Sequence, residues 1–219
     1  MKLAKRLSFL VEVYRLHGFA EMCSVAWSGF LHKGTKRLIL VALSRPRPIP
    51  KALEASEGHD FHFATPEELR SLMKQPSFEI APVDIERVEK DVARCLVQMD
   101  GDKLTGYAWV WVSKVAYIDD GVYLNLPRDA IYNYKAYTDP EYRGLGFQGL
   151  RHLHLLRLLE GEGIKRLFGF VDHLNTKSLH GVRKSGYEKV GELKIRHKDG
   201  EVSSHLVMAK DFWPGRPAD

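Results

Sequence analysis

Apolar positions change their period along this chain, and the changes mark its elements. Residues 2–20 place Leu3, Leu7, Leu10, Val11 and Tyr14 at helical spacing, with Lys5, Arg6, Glu12 and Arg15 between them. This predicts a basic amphipathic helix ending near Gly18. "RLILVALSRPRPIP" is a continuous apolar run closed by three prolines, a strand followed by an extended connector. In "HFATPEELRSLM", Thr65 stands as N-cap, Pro66 at the first helical position and Glu68 three residues after the cap, the pattern of a capping box. A second helix is expected through "VDIERVEKDVAR" with Asp84 as cap. Two strands around an Asp100-Gly101-Asp102 turn follow, then "GVYLNL" and the tyrosine-rich strand "AIYNYKAYT". Leu150, Leu153, Leu156 and Leu159 recur at helical spacing up to Gly161 and Gly163. "KRLFGFV" is a short strand, and "NTKSLHGVRKSGY" a helix capped by Asn175 or Thr176 and stopped at Gly186. "YEKVGELKIR" and "VSSHLVMAK" are closing strands around Lys198-Asp199-Gly200.

Composition narrows the class of protein. Net charge is +5 with a pI near 9.1, which favours anionic partners such as a phosphorylated cofactor. The basic residues are scattered, and no finger, basic-zipper or RNP-type pattern supports a nucleic-acid partner. Cys23 and Cys95 stand far apart beside apolar residues, so they read as core positions rather than a disulfide framework or thiolate metal site. The early basic residues resemble a signal peptide, but Glu12 and Arg15 interrupt its apolar stretch and no small-residue cleavage site follows. A cytoplasmic protein is expected, with weak membrane-surface contact through residues 2–20 as an alternative role for that helix. His152 and His154 stand two apart on a helix and so on different faces; no metal is expected.

The chemistry concentrates in "TDPEYRGLGFQGLRHLHLL", where Gly144-Leu145-Gly146-Phe147-Gln148-Gly149 spells G-x-G-x-x-G. A dinucleotide turn would use such glycines, with Asp172 near the place of the acidic residue expected roughly 20 positions on. Against it, "DPEYR" separates the preceding strand from the first glycine, and antiparallel hairpins precede the loop. The alternative is an anion cradle: successive N–H groups feeding a helix N-terminus, Gly144 and Gly146 admitting a pyrophosphate, and Arg143 adding a cation.

From Tyr137 to Gly191 the sequence resembles the core of the GNAT superfamily of acyl-CoA-dependent N-acyltransferases. The residues that carry the resemblance are Pro140, Tyr142, Arg143, Gly144 and Gly146, then Asn175, Gly186 and Tyr187. It lies within the last half of the chain. The resemblance implies an α/β (α+β) fold with a mixed, mostly antiparallel sheet flanked by helices and an N-terminal helical extension. It implies an acetyl-CoA or other acyl-CoA co-substrate and a primary amine of a small metabolite or amino sugar as partner. The backbone of Leu145, Gly146, Phe147, Gln148 and Gly149, with Gly144 and Arg143, would hold the coenzyme A pyrophosphate. The main chain of Tyr137 and Thr138, at a splay in the sheet, would pair with the pantetheine arm and polarise the acyl carbonyl, and Asn175 would contact that arm. Two positions depart from the family pattern: Gln148 is larger than the small residue often found there, and Val182 stands where many members carry a tyrosine.

Acyl transfer to an amine needs the amine neutral, which calls for a base near neutrality. His173 is a candidate because histidine is the residue type suited to proton transfer near neutrality. Asp172 is a second candidate, to bind a cationic amine or take its proton. Tyr134, with Tyr132 two positions before it, is the third, on the strand face expected to line a substrate cleft. The expected organisation is an N-terminal helix and first strand over 1–45, a connector over 46–62, the acyltransferase domain over 63–213 and a tail over 214–219. Oligomeric state is not legible in the sequence.

Overall fold

The computed structural model describes residues 35–44, 58–198 and 200–209. The helix expected over 2–20, Cys23, most of the connector and the tail lie outside the described residues. Among the described residues ten strands and four α-helices follow one another: β1 (Thr35–Ser44), β2 (His59–Phe63), α1 (Pro66–Leu72), α2 (Pro82–Glu89), β3 (Ala93–Asp100), β4 (Lys103–Trp111), β5 (Val115–Asp119), β6 (Val122–Asn125), β7 (Ala130–Thr138), α3 (Phe147–Leu158), β8 (Arg166–Asp172), α4 (Thr176–Lys184), β9 (Glu188–Lys198) and β10 (Glu201–Met208).

Eight strands form one sheet in the order β10-β9-β1-β8-β7-β4-β3-β2, while β5 and β6 pair separately as a hairpin. Every neighbouring pair in the large sheet is antiparallel except β7 and β8. This is the mixed, mostly antiparallel sheet that the sequence led us to expect. β1 lies inside the sheet between β8 and β9, and β2 forms its far edge.

The apolar run of β1 is buried from Leu38 through Leu43 without alternation. A strand covered on both faces has no polar side to show. Ile39, Val41 and Leu43 join Leu155, Leu156 and Leu159 of α3 and Val182 of α4 on one face. Leu38, Leu40 and Ala42 point to the other face, where Val122 and Ile118 of the β5–β6 hairpin and Val190, Leu193 and Ile195 of β9 join them. Further along that second face, Leu69 of α1 and Ile85 of α2 pack on Cys95, Val97, Tyr107 and Trp109.

The helix starts differ in detail from the sequence patterns. Thr65 Oγ1 accepts the N–H of Glu68 at 3.2 Å, but the Glu68 carboxylate reaches Nε2 of His62 at 3.1 Å instead of returning to the cap. Asp84 is not the cap of α2 but its third helical residue, and it accepts the N–H of Ala81 at 3.2 Å. That helix stops at Glu89, and Ala93 and Arg94, which its apolar period included, open β3.

One close approach ties the layers together. The guanidinium of Arg151, from α3, lies against Gly106 of β4. A Cβ at Gly106 would fall 2.1 Å from Nη1 of Arg151 and 2.7 Å from the carbonyl oxygen of Tyr137. The side chain could shift, but the backbone carbonyl cannot. Gly106→Ala is therefore expected to cost about 1–3 kcal/mol of stability. Urea unfolding would read this as a lower midpoint at unchanged slope.

Candidate active site

Two strands that start together and then part build the site. β7 and β8 pair in parallel from Ala130/Arg166 to Asn133/Gly169 and no further. β7 continues to Thr138 on β4 alone, and its register shifts where Trp109 faces Lys135 while Val110 faces Asn133. Tyr134 is the extra residue, so a bulge bends β7 at the point where β8 leaves it. Asn133 holds the bulge through its side-chain amide, which donates to the carbonyls of Trp109 at 3.0 Å and Lys135 at 3.4 Å.

Beyond the bulge, antiparallel alternation decides which main-chain groups face the opening. The N–H of Asp139 donates to Thr105 O at 2.9 Å, and Gly106 faces Thr138 in the register. Tyr137 therefore turns its N–H and C=O toward β4. The main chain of Ala136 and the N–H of Thr138 face the opening. Of the two residues expected to meet the pantetheine arm, Thr138 turns its N–H to the opening and Tyr137 turns its main chain to β4.

The carbonyls at the end of β7 are held by two arginines. Arg151 Nη2 donates to Tyr137 O and to Thr138 Oγ1, both at 2.8 Å, and its Nη1 donates to Gln98 Oε1 at 2.8 Å. Arg143 Nε donates to Thr138 O at 3.0 Å from the solvent side. Arg151 is fully buried, and burial lowers its pKa to about 10, so it stays charged at neutral pH. Its partners here are neutral oxygens.

The glycine loop follows directly. Gly144 and Gly146 have φ of 80° and 84°, a region in which a side chain is strained, and Gly146 is the N-cap of α3. Leu145 is exposed, and the first N–H groups of α3, from Phe147 to Gly149, lack intrahelical acceptors. Gly149 sits so close to α4 that a Cβ would lie 2.7 Å from Ser185 Oγ. Arg143 and the loop thus form a cationic, donor-rich rim at the mouth of the opening.

Below the rim lies a cleft of about 160 Å³. Asn133–Ala136 of β7 and Gly169–Val171 of β8 form its sheet side; Gln148 and His152 of α3 and Ser178 and Val182 of α4 form its helix side, with Tyr187 and Val41. Tyr134 is among its lining residues. Burial raises its pKa, Asp84 adds to this, and the Arg87 guanidinium opposes both. Arg87 lies 5.6 Å from the Tyr134 ring centroid.

His173 and Asp172 do not line this cleft. His173 places both its N–H and Nδ1 on the carbonyl of Arg37, at 3.2 and 3.1 Å, extending the β8–β1 contact. Asp172 accepts the N–H of Leu174 at 2.9 Å and so shapes the turn into α4. Asn175 caps α4, accepting the N–H of Ser178 at 3.0 Å. The sequence reading passed over the titratable pair that does line the cleft: Tyr187 Oη stands 2.9 Å from Nδ1 of His152, both buried. A signal was present. Arg151 and His152 stand three to four residues before Leu155, on the same stripe as Leu156 and Leu159.

No protein-family model and no curated protein matches the chain. Solved structures do. The GCN5-related glucosamine N-acetyltransferase region of a fungal multi-domain β-N-acetylglucosaminidase aligns with a TM-score of 0.51 and 15% identity, over 77% of this chain and 22% of that one. A GNAT-family acetyltransferase from Colwellia psychrerythraea aligns with a TM-score of 0.49 and 11% identity, over 70% and 53% of the two chains. An aminoglycoside acetyltransferase from an uncultured soil metagenomic sample gives 0.45 and 12%, over 58% and 87%. The fold of this chain is the GNAT fold.

Burial lowers the pKa of His152 from an ordinary 6.5 to about 3, and the charge of Arg151 adds to the effect. The unfolded chain takes up a proton near 6.5 that the folded chain refuses. Stability is therefore complete above that pH and declines as pH falls toward 3. Below pH 6 the wild type should lose about 1.4 kcal/mol per pH unit more than His152→Gln. Urea unfolding between pH 7 and pH 5 would measure the difference.

Proposed function

We propose that this protein is an acyl-CoA-dependent N-acyltransferase that moves an acetyl or other short acyl group to a primary amine of a small metabolite or amino sugar. The observation that carries the reading is a juxtaposition. A glycine-rich, arginine-flanked helix N-terminus stands at the mouth of an opening between two strands, and one edge of that opening presents unpaired main-chain groups. The loop, from Arg143 to Gly149, fits the pyrophosphate of coenzyme A. The edge of Ala136 and Thr138 fits the amides of the pantetheine arm, and a strand edge can take such a chain as it takes another strand.

The opening joins the two faces of the sheet. The cofactor comes from the face of α3 and α4, and the amine from the face where Tyr134 and Phe170 meet the hairpin and α2. The acyl carbon lies between them. Main-chain N–H groups at the bulged strand supply the oxyanion with fixed donors. The attack is direct, and the base is solvent or a group brought by the amine, since His173 and Asp172 are engaged in the turn after β8. Low identity to the glucosamine and aminoglycoside acetyltransferases leaves the acceptor to be found by screening amines of those and other classes.

Acetyl-CoA at about 100 times its dissociation constant should stabilise the fold by about 2.7 kcal/mol, a clear rise in melting temperature. NADH and NADPH should give none. Removing the loop cation with Arg143→Ala should weaken acetyl-CoA binding by about tenfold or more. A shift with a nicotinamide in place of CoA would overturn the reading.

A further inference from the structure

Two cations and one carboxylate meet on the acceptor side of the opening. Arg87, in the last turn of α2, holds its guanidinium 5.5 Å from the ring centroid of Trp111 and 5.6 Å from that of Tyr134, which lines the cleft. Lys135, also in the lining, sends its ammonium to the carbonyl of Glu79 and, at 3.2 Å, to Asp84 Oδ2. Asp84 Oδ1 accepts from Arg87 Nη1 at 3.3 Å, and Oδ2 also takes the N–H of Ala81. Buried and already accepting from Ala81, Arg87 and Lys135, Asp84 is closed to a cationic substrate. One carboxylate between two cations leaves a positive charge unmatched among the described residues. Asp119 of the hairpin does not balance it, since Lys36 Nζ pairs with Asp119 at 2.9 Å. Glu86 and Glu89, beside Arg87 on α2, pair with Lys90 and Arg70.

The surplus charge is offered by Arg87. Lys135 is tied to two oxygens, whereas Arg87 gives one hydrogen bond to a carboxylate and its side chain is 27% exposed. The two rings orient the guanidinium by cation–π contact without engaging all of its N–H groups. A planar cation held in this way, partly desolvated and still within reach of solvent, suits a carboxylate or phosphate and repels an ammonium. Among the described residues that line the cleft, none is acidic.

We propose that the acceptor amine carries an anionic group, a carboxylate or a phosphate, and that Arg87 binds it. The proposal rests on the acyl-CoA reading above and narrows its acceptor: amino acids and acidic amino sugars fit, and polycationic amines do not. The acid group anchors the far end of the substrate while its nitrogen reaches the acyl carbon between β7 and β8. Arg87 selects and positions the substrate without touching the reacting atoms.

The test uses conjugates in which the CoA sulfur is joined through an acetyl bridge to the nitrogen of a linear amine, so binding is measured without turnover. The amines increase in length and end in a carboxylate, a phosphate or a neutral amide. Calorimetry with the full chain should find a length at which an acid-ended conjugate binds about ten- to a hundredfold tighter than the amide of that length, the range of a hydrogen bond to a charged group. The tighter of carboxylate and phosphate identifies the source of the charge. Arg87→Gln should remove the preference while the affinities for the amide conjugate and for CoA stay unchanged, a split that a mere strut for α2 would not give. CoA affinity also reports that the variant is folded. Arg87→Lys should keep part of the preference. If neither CoA nor any conjugate binds, the acyl-CoA reading itself fails and the proposal falls with it. If CoA binds but acid and amide ends are equal at every length, or if Arg87→Gln keeps the preference, that reading stands and the role of Arg87 is overturned.

Discussion

The buried guanidinium of Arg151 is the constraint around which the site is arranged. A fully buried cation is costly unless its donors are used, and here three of its hydrogen bonds reach β3 through Gln98 and β7 through Tyr137 and Thr138. The partners lie on different elements, so the bonds fix their relative positions. The end of β7 cannot drift toward β8 while its last carbonyl but one is held from beneath, and α3 cannot slide along the sheet while its side chain is anchored there. Gly106 is the condition for this arrangement, since a side chain at that position would take the space of the guanidinium. The mouth of the opening is thus held by a charge that never reaches solvent.

Around that anchor the sheet divides its labour by face. The bulge at Tyr134 parts β7 from β8 only beyond Asn133 and Gly169, so the lower halves of both strands stay in the core and the upper halves stay available. Helices α3 and α4 and the glycine loop stand on one side of the gap. The hairpin β5–β6, α1 and α2 cover the other. A ligand on either side reaches the same few main-chain groups.

Much of this could be read from the sequence where one local rule decided the outcome. The apolar run from Leu38 to Leu43 announced a strand, and Thr65 and Pro66 announced the start of α1. The positive φ of Gly144 and Gly146 is what a glycine-rich turn into a helix demands. Reading failed where the deciding partner was distant in the chain. Glu68 was assigned to its own cap by spacing, but His62 on β2 offered a competing site. His173 had a suitable residue type and position, but the carbonyl of Arg37, 136 residues earlier, was the partner it met. Tyr137 against Ala136 was a matter of strand parity, which depends on the register with β4. The Tyr187–His152 pair joins the start of β9 to the middle of α3, and no sequence period links those positions.

The place of β1 has a consequence for how the molecule assembles. β8 and β9 are joined through α4, yet they do not touch as strands, because β1 runs between them and pairs with both. The earliest strand described is therefore the one whose partners are made last, with more than a hundred residues separating Leu38 from Asp172 and Leu193. Contacts of such separation are slow to form, since chain entropy is lost before pairing compensates for it. Until they form, β9 and β10 have no attachment to the rest of the sheet. On the ribosome the six buried residues of β1 wait, apolar, for most of the chain to emerge, and until then their exposed surface is open to misassociation.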